Sequence, residues 1–309
     1  MRLGVLDVGS NTVHLIVVDA HPGARPVPMA SHKSVLRLMR YLEPDGSISD
    51  EGVAAIVAAI SAATEVARRE GIDELLPMAT SALREAANGE AVLAHIAEAT
   101  GVTLRVLTGE DEGRLTFLAI RRWYGWSSGN ILLFDIGGGS LEIAAGSDEY
   151  PDVAVSLPLG AGRTTVQFFP DDPPTPAQML ELRAHSRAVM RADALPLFAS
   201  QPAYSHVVGS SKTIRSLARL AGSSRPNPSG GEDRVTLRRS ELKDWIPRLG
   251  QMPAEARQAL PGITADRTFQ IVAGAVVLHS AMKLYDVEEL EVSPWALREG
   301  ILLRYLDGL

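Results

Sequence analysis

Two short glycine-rich segments hold the residues best suited to chemistry, Asp7-Val8-Gly9-Ser10-Asn11-Thr12 and Asp135-Ile136-Gly137-Gly138-Gly139-Ser140. Only glycine lets several backbone N–H groups close on one anion without a side chain intervening, and Gly9, Gly137, Gly138 and Gly139 supply that freedom. Ser10, Asn11, Thr12 and Ser140 add side-chain donors. Asp7 and Asp135 offer hard oxygen ligands of the kind Mg²⁺ or Mn²⁺ takes, usually through water. Such loops would embrace a phosphate group together with its metal. A single Asp-x-Gly is more often a plain turn, but two copies at matched positions reverse that reading.

Other chemistries fall away. The chain has no cysteine, which excludes thiol catalysis, disulfides and zinc-thiolate sites and fits a reducing compartment. Its seven histidines form no His-x-His or His-x-x-x-His pair, so no histidine metal site is expected; His14 and His279 sit in apolar segments where packing is the commoner role. No Gly-x-x-x-x-Gly-Lys-[Ser/Thr] occurs, and no Gly-x-Gly-x-x-Gly opens a helix after a strand, which excludes the Walker and Rossmann phosphate sites. A net charge of -7 argues against a nucleic-acid polymer as partner. The first apolar segment is interrupted by Asp7 and Asn11, and the most hydrophobic one, Ile271 to Leu284, contains His279 and Lys283 and is too short to cross a membrane. A cytoplasmic protein without a membrane partner is expected.

The elements that must position the loops follow from the apolar pattern. At 309 residues two domains of roughly 150 residues each are the default. Leu3 to Leu6 and Val13 to Val18 read as strands flanking the first loop; Asn130 to Phe134 and Leu141 to Ala144 flank the second in the same way. Between them, helices are expected over Glu51 to Arg69 with a stop at Gly71, over Glu90 to Thr100 closed by Gly101, and over Glu112 to Trp123. Strands are expected over Leu75 to Ala79, with Ser81 as the N-cap that follows, and over Val102 to Leu107. Later come a strand over Tyr204 to Val208, a helix through Leu220, helices over Ser240–Leu249, Asp266–Tyr285 and Ala296–Tyr305, and a short strand near Leu290. Arg225 to Gly231 reads as a mobile surface loop. The repeated strand, loop, strand unit points to two related α/β domains, each contributing one loop to a shared cleft.

Paired Asp-Gly loops in duplicated α/β domains resemble the superfamily of actin, sugar kinases and heat-shock chaperone ATPases. The resemblance narrows on Asp7-Val8-Gly9-Ser10-Asn11-Thr12-Val13-His14, Thr80-Ser81-Ala82-Leu83-Arg84, Gly109-Glu110-Asp111-Glu112-Gly113-Arg114, Asp135 to Glu142, and Ala296-Leu297-Arg298-Glu299-Gly300. In that order these look like the motifs of the exopolyphosphatase and guanosine pentaphosphate phosphohydrolase family. The resemblance implies two duplicated actin-like (ribonuclease H-like) domains around a central cleft: residues 1–124, with a C-terminal helix at about 297–309 packing back on them, and residues 125–296. It also implies a homodimer.

By the same resemblance, Glu112 orients or deprotonates the attacking water, Arg84 binds phosphate, and Asp135 and Glu142 help to hold Mg²⁺. Hydrolysis of a terminal phosphoanhydride needs those parts. From the residues alone, Glu112 stands in a helix's first turn where acids are favoured without function, and adjacent Asp111 is a rival for its role. Arg84 could equally pair with a surface carboxylate. Gly209-Ser210-Ser211-Lys212-Thr213, between a strand and a helix, is an anion site or an ordinary capped helix; Lys212 stands where the family has a small residue, and its charge would suit a longer phosphate chain. Gly160 to Arg163 is a tight turn or a further phosphate contact. Lys33, Arg37 and Arg40, and likewise Arg215 and Arg219, are solvated faces or a polyphosphate track.

The leading expectation is a Mg²⁺-dependent exopolyphosphatase, with guanosine pentaphosphate as the alternative substrate. Longer family members have an additional C-terminal region, so short polyphosphate is the expected preference. An ATPase or kinase on the same scaffold, or a phosphate-chain sensor without turnover, is the rival of another class.

Overall fold

The computed structural model describes residues 1–21, 23, 25–222, 224–225 and 234–308. The expected mobile loop lies outside the described residues from Pro226 onward. The chain divides into two compact units, Met1–Ala119 with Leu297–Leu309, and Ile120–Ala296.

The first unit is built from β1 (Arg2–Val8), β2 (Thr12–Asp19), β3 (Ala30–Val35), α1 (Asp50–Arg69), β4 (Glu74–Ala79), α2 (Ser81–Arg84), α3 (Gly89–Thr100), β5 (Arg105–Val106) and the first part of α4 (Gly109–Tyr124). Its sheet runs β3-β2-β1-β4-β5. Strand alternation sends Leu6, Val8, Val13, Leu15 and Val17 to one face and Leu3, Val5, Ile16 and Val18 to the other. Ile56 and Ile60 of α1 and Val92 and Ile96 of α3 cover the first face. Helix α1 starts where the Ser49 hydroxyl accepts from the Gly52 N–H, with Asp50 and Glu51 in its first turn and Arg68 and Arg69 in its last, the order the helix dipole favours. Gly101 ends α3 with a left-handed φ of 71°.

The second unit contains β6 (Ile131–Ile136), β7 (Leu141–Gly146), β8 (Val153–Leu157), α5 (Ala161–Phe168), α6 (Pro176–Asp193), β9 (His206–Ser210), α7 (Ser211–Ala221), β10 (Ser224–Arg225), β11 (Arg234–Arg238), α8 (Arg239–Gly250), α9 (Ala254–Arg257), α10 (Ile271–Leu284) and β12 (Glu289–Val292). The last helix, α11 (Leu297–Leu306), returns to the first unit, where Ile301 and Leu302 cover the second face of the sheet. In the second unit the sheet order is β10-β11-β12-β9-β6-β7-β8. Read from β8 to β12, it repeats the first sheet. Each begins with an antiparallel meander, β1-β2-β3 or β6-β7-β8, and extends by parallel strands on the other side of its first strand. The duplication inferred from the two loops is therefore a duplication of topology, with β10 and β11 added at one edge. Helix α10 is buried on nearly every side and packs against α5, α6, α7 and α8, as a helix apolar all round must.

Several elements depart from expectation. Ser81 is the first residue of α2 and not its cap, which is Thr80; its hydroxyl lies 3.3 Å from the Ser10 hydroxyl. The strand expected over Val102–Leu107 pairs only at Arg105 and Val106, on the sheet edge. Helix α10 begins at Ile271, not Asp266: buried Arg257 takes the Thr268 carbonyl at 3.0 Å, holding that segment in turns. Gly160 to Arg163 is no isolated turn but the cap and first residues of α5. Among the described residues, no helix is long and apolar enough to cross a membrane.

Candidate active site

In the second unit the loop between β6 and β7 is held almost wholly by its carbonyls. Gly137 N–H donates to the Ser140 carbonyl at 2.9 Å and closes the turn. The start of α5 takes the others: Ala161 N–H donates to the Gly137 carbonyl (3.0 Å), Arg163 N–H to that of Gly138 (2.9 Å) and Gly160 N–H to that of Gly139 (3.3 Å). Arg163 Nε also donates to the Gly139 carbonyl at 2.8 Å. With every carbonyl from Gly137 to Ser140 engaged, the N–H groups of Gly138, Gly139 and Ser140 have no acceptor among the described residues. Successive outward N–H groups of this kind form an anion nest. Gly160 makes the bracing possible, since a Cβ there would lie 2.2 Å from the Gly139 carbonyl carbon.

The acids of this loop are set by strand register. Asp135 faces Glu142 across the β6–β7 pair and Ser210 across β6–β9. Directly opposed residues share a face, with Cβ atoms about 5 Å apart. The Ser210 hydroxyl donates to Asp135 Oδ2, and the Ser156 hydroxyl donates to Glu142 Oε1 at 2.8 Å. Two opposed carboxylates repel unless a cation lies near, so this pair has the charge and the oxygen chemistry a hard divalent ion requires. Among the described residues no group of three or more His, Cys, Asp or Glu could hold a metal ion.

The first unit repeats the loop. Gly9 N–H donates to the Thr12 carbonyl at 3.0 Å, the counterpart of Gly137 and Ser140. Here the segment after β3 supplies the bracing: Leu38 N–H reaches the Ser10 carbonyl (2.6 Å), while Leu36 and Arg37 N–H share that of Asn11 (2.8 and 3.1 Å). Arg37 adopts a left-handed φ of 57° to do so, a strain that non-glycine residues carry at functional sites. Ser10 and Asn11 N–H groups have no acceptor among the described residues. Asp7 occupies Asp135's place, but His14 stands opposite it where Glu142 stands in the second unit. Instead of a second acid, the His14 ring meets the Arg298 guanidinium. That contact goes beyond the packing role expected for His14.

Arg84 and Glu112, far apart in sequence, come together in the first unit. Arg84 NH1 donates both to Glu112 Oε1 and to the Leu107 carbonyl, the latter at 2.8 Å, while NH2 reaches Glu85 at 3.2 Å. Glu112 is 7% exposed. Asp111 differs: its side chain is 44% exposed and lies 3.8 Å from Arg114. An open depression of about 580 Å³ adjoins Arg84, lined by Leu83, Asn88, Leu93 and Val106 among others. The Ala296–Gly300 motif supports this region. A Cβ on Gly300 would fall 1.9 Å from the Leu115 carbonyl, so only glycine lets α11 lie against the turn of α4 that follows Glu112.

The remaining sequence-derived candidates are spread between these sites and the core. Gly209 packs under Ile214 and Leu290, which a Cβ would meet at 2.6 and 3.0 Å. Ser211 opens α7 with a left-handed φ of 75°, its hydroxyl accepting from Ile214 N–H at 3.3 Å. Thr213 is fully buried beside Gly274 of α10, and Lys212 is half-buried. Arg215 NH2 donates to the Ser293 carbonyl at 3.1 Å, inside its own unit. Ser156 and the bracing segment Leu36–Leu38 were beyond reach of motif reading, whereas Gly160 to Arg163 was singled out only as a tight turn or a phosphate contact, and its bracing of the loop was not.

Two sheets of one topology, each with a glycine loop at the same hairpin, define an α/β protein of the actin-like class. The fold is shared with an exopolyphosphatase from Cytophaga hutchinsonii (TM-score 0.87, 22% identity, 100% of this chain and 99% of that one). It is shared too with the Ppx/GppA family member of Aquifex aeolicus (TM-score 0.78, 24% identity, 100% and 98%). The sequence profile of the Ppx/GppA phosphatase family matches residues 16–308; the chain belongs to that family and is an enzyme of the phosphoanhydride-hydrolase class. Exopolyphosphatase 1 of Mycobacterium tuberculosis is 49% identical over 309 residues, covering 100% of this chain and 89% of the relative. Exopolyphosphatase 1 of Mycobacterium leprae is 47% identical, covering 100% and 90%.

Proposed function

We propose that the protein is an exopolyphosphatase that releases orthophosphate from the end of linear polyphosphate, using Mg²⁺ or Mn²⁺. The nest at Gly138, Gly139 and Ser140, with every loop carbonyl turned away, is the observation that carries the phosphate end of this reading. The name borne by the relatives at 49% and 47% identity supports polyphosphate as the chain behind it.

In this reading the loop N–H groups and Ser140 hold the non-bridging oxygens of the terminal phosphoryl group; within the first unit Ser10, Asn11 and Thr12 are a second set of phosphate donors. Glu112 accepts a proton from the attacking water, whose oxygen bonds to the terminal phosphorus as the bridging P–O bond breaks. The shortened chain leaves with the bridging oxygen and its electron pair. Arg84 orients Glu112 and brings its positive charge to the phosphate. Gly209 to Thr213 offer further N–H groups and the Lys212 charge to the chain behind the reacting group. Asp135 and Glu142 would hold the divalent cation, which would supply charge neutralisation for the reacting oxygens; Asp7 stands at the corresponding strand end within the first unit.

Guanosine pentaphosphate ends in the same phosphoanhydride, so substrate choice is a matter for assay. Orthophosphate release should be measured from short polyphosphate, long polyphosphate, guanosine pentaphosphate and ATP, with Mg²⁺ and with chelator. Release from polyphosphate that chelator abolishes is expected. Release from guanosine pentaphosphate alone would move the assignment to that nucleotide, and turnover of ATP alone would indicate an ATPase. No release from any of the four would leave a sensor without turnover.

A further inference from the structure

Far from the loops, the second unit gathers a group of cations of which, among the described residues, only Arg239 has acidic partners. Arg183, Arg187 and Arg191 follow one another at i, i+4 and i+8 on α6, a single face of that helix. Helix α6 packs on α10, whose His279 and Lys283 are likewise one turn apart. Arg239, at the start of α8, completes the group; its own partners are Glu288 and, at 3.8 Å, Asp286. Arg183, Arg187 and Lys283 form no ion pair or hydrogen bond with any described residue. On a chain of net charge -7 such a grouping is not a statistical excess of base.

The buried atoms of this cluster lack acceptors. The Nε atoms of Arg183 and Arg187 are buried without a hydrogen-bond partner, as is Nδ1 of His279, a residue only 7% exposed. Burial, then Arg183, Arg187, Arg239 and Lys283, hold the His279 imidazole down to about 4. Burial together with Arg183 and Arg191 likewise lowers Arg187. The charged groups that act on these two are all cations. Buried donors without acceptors are rare and call for a partner, while Arg191 and Lys283 remain exposed at the rim.

The position separates this cluster from the phosphate loop. Arg239 follows β11, whose Arg238 is registered on Glu289, the first residue of β12. Strands β12, β9 and β6 are parallel, so the cluster lies at the start of β6 and the Gly137–Ser140 loop at its end, roughly 17 Å of strand apart. Helix α10 agrees: Gly274 touches Thr213 and Ala161 beside the loop, and Lys283 is at the other end.

We propose that the second unit carries a separate anion site between α6 and the C-terminal half of α10, in which Arg183, Arg187, His279 and Lys283 bind an oligophosphate of two or more phosphoryl groups. Guanidinium forks match phosphoryl oxygens in pairs, and several cations ask for several charges. An inorganic chain and a nucleoside polyphosphate share that chemistry.

The test uses the full chain, free of divalent cation, and a bis-methylene triphosphate whose P–C–P bridges cannot be hydrolysed, so its outcome does not depend on the proposed activity. Histidine-labelled protein is titrated by NMR, the His279 signal being the one lost in His279→Gln. Movement of that signal toward the protonated form is expected. In Arg183→Gln/Arg187→Gln the titration should weaken at least tenfold while orthophosphate release from short polyphosphate is unchanged. Should that variant fail to fold, Arg191→Gln/Lys283→Gln, changed only at exposed positions, should weaken it severalfold. A guanosine-bearing methylene analogue that binds more tightly than the inorganic one would assign the site to nucleoside polyphosphates; equal binding would assign it to the phosphate chain alone. A His279 signal that stays in place, or moves equally in wild type and variants, would overturn the proposal.

Discussion

Glu112 and Arg84 show how much a single residue's surroundings decide. In the sequence, Glu112 is one of three consecutive acids at a helix start, Glu110, Asp111 and Glu112, and only the family motif singles it out. The fold separates them: Glu112 is buried on Arg84, while Asp111 faces solvent. If Glu112 handles the water, Glu112→Gln keeps the shape and substrate binding but loses turnover by about 10²- to 10⁴-fold. Asp111→Asn should stay within about twofold of wild type. Steady-state rates beside binding of a non-hydrolysable analogue check both, and the reverse ranking would make Asp111 the base. The pairing of Arg84 with Glu112 was not legible, since a long-range contact leaves no local sequence signal.

His279 makes a second prediction at this scale. Its folded-state value near 4 lies below the ordinary 6.5, so the unfolded chain binds a proton that the folded one refuses between those pH values. Stability is therefore unaffected above about pH 6.5 and falls as pH drops toward 4, by at most about 3 kcal/mol. Denaturant unfolding from pH 7 to 4.5 should show a weaker decline for His279→Gln than for wild type. Parallel curves would mean that His279 is no more acid-resistant than in the unfolded chain.

At the scale of elements, the loops were legible because a glycine turn at the end of an apolar strand is a local pattern. Their bracing was not. Gly160 belongs to a different element, yet a methyl group there would lie 2.2 Å from the Gly139 carbonyl carbon and 2.3 Å from Ser140 N. Gly160→Ala should displace the nest and reduce kcat/KM by about a hundredfold, while the protein stays folded at a cost of about 1–3 kcal/mol. Normal kinetics with lowered stability would reduce Gly160 to a packing residue. Helix α6 went unread although Thr175-Pro176-Ala177-Gln178 forms a full capping box. Its arginines mask a thin buried stripe of Leu182, Ser186 and Met190. Helix α10 was read as starting five residues too early because nothing local reveals that Arg257 claims the Thr268 carbonyl.

For the whole molecule, duplication was the most legible feature and asymmetry the least. Both sheets share one strand order, and both loops close with the same glycine hydrogen bond. Yet Asp135 faces Glu142 where Asp7 faces His14, which assigns the carboxylate pair to the second unit and leaves Glu112 and Arg84 to the first. The most direct measurement is the product pattern from long-chain polyphosphate with Mg²⁺, followed by gel and by orthophosphate assay in the same samples. Removal of terminal phosphates predicts orthophosphate from the first time point, in an amount equal to the phosphate lost from the chains. Fragments without early orthophosphate, or intact chains throughout, would contradict it.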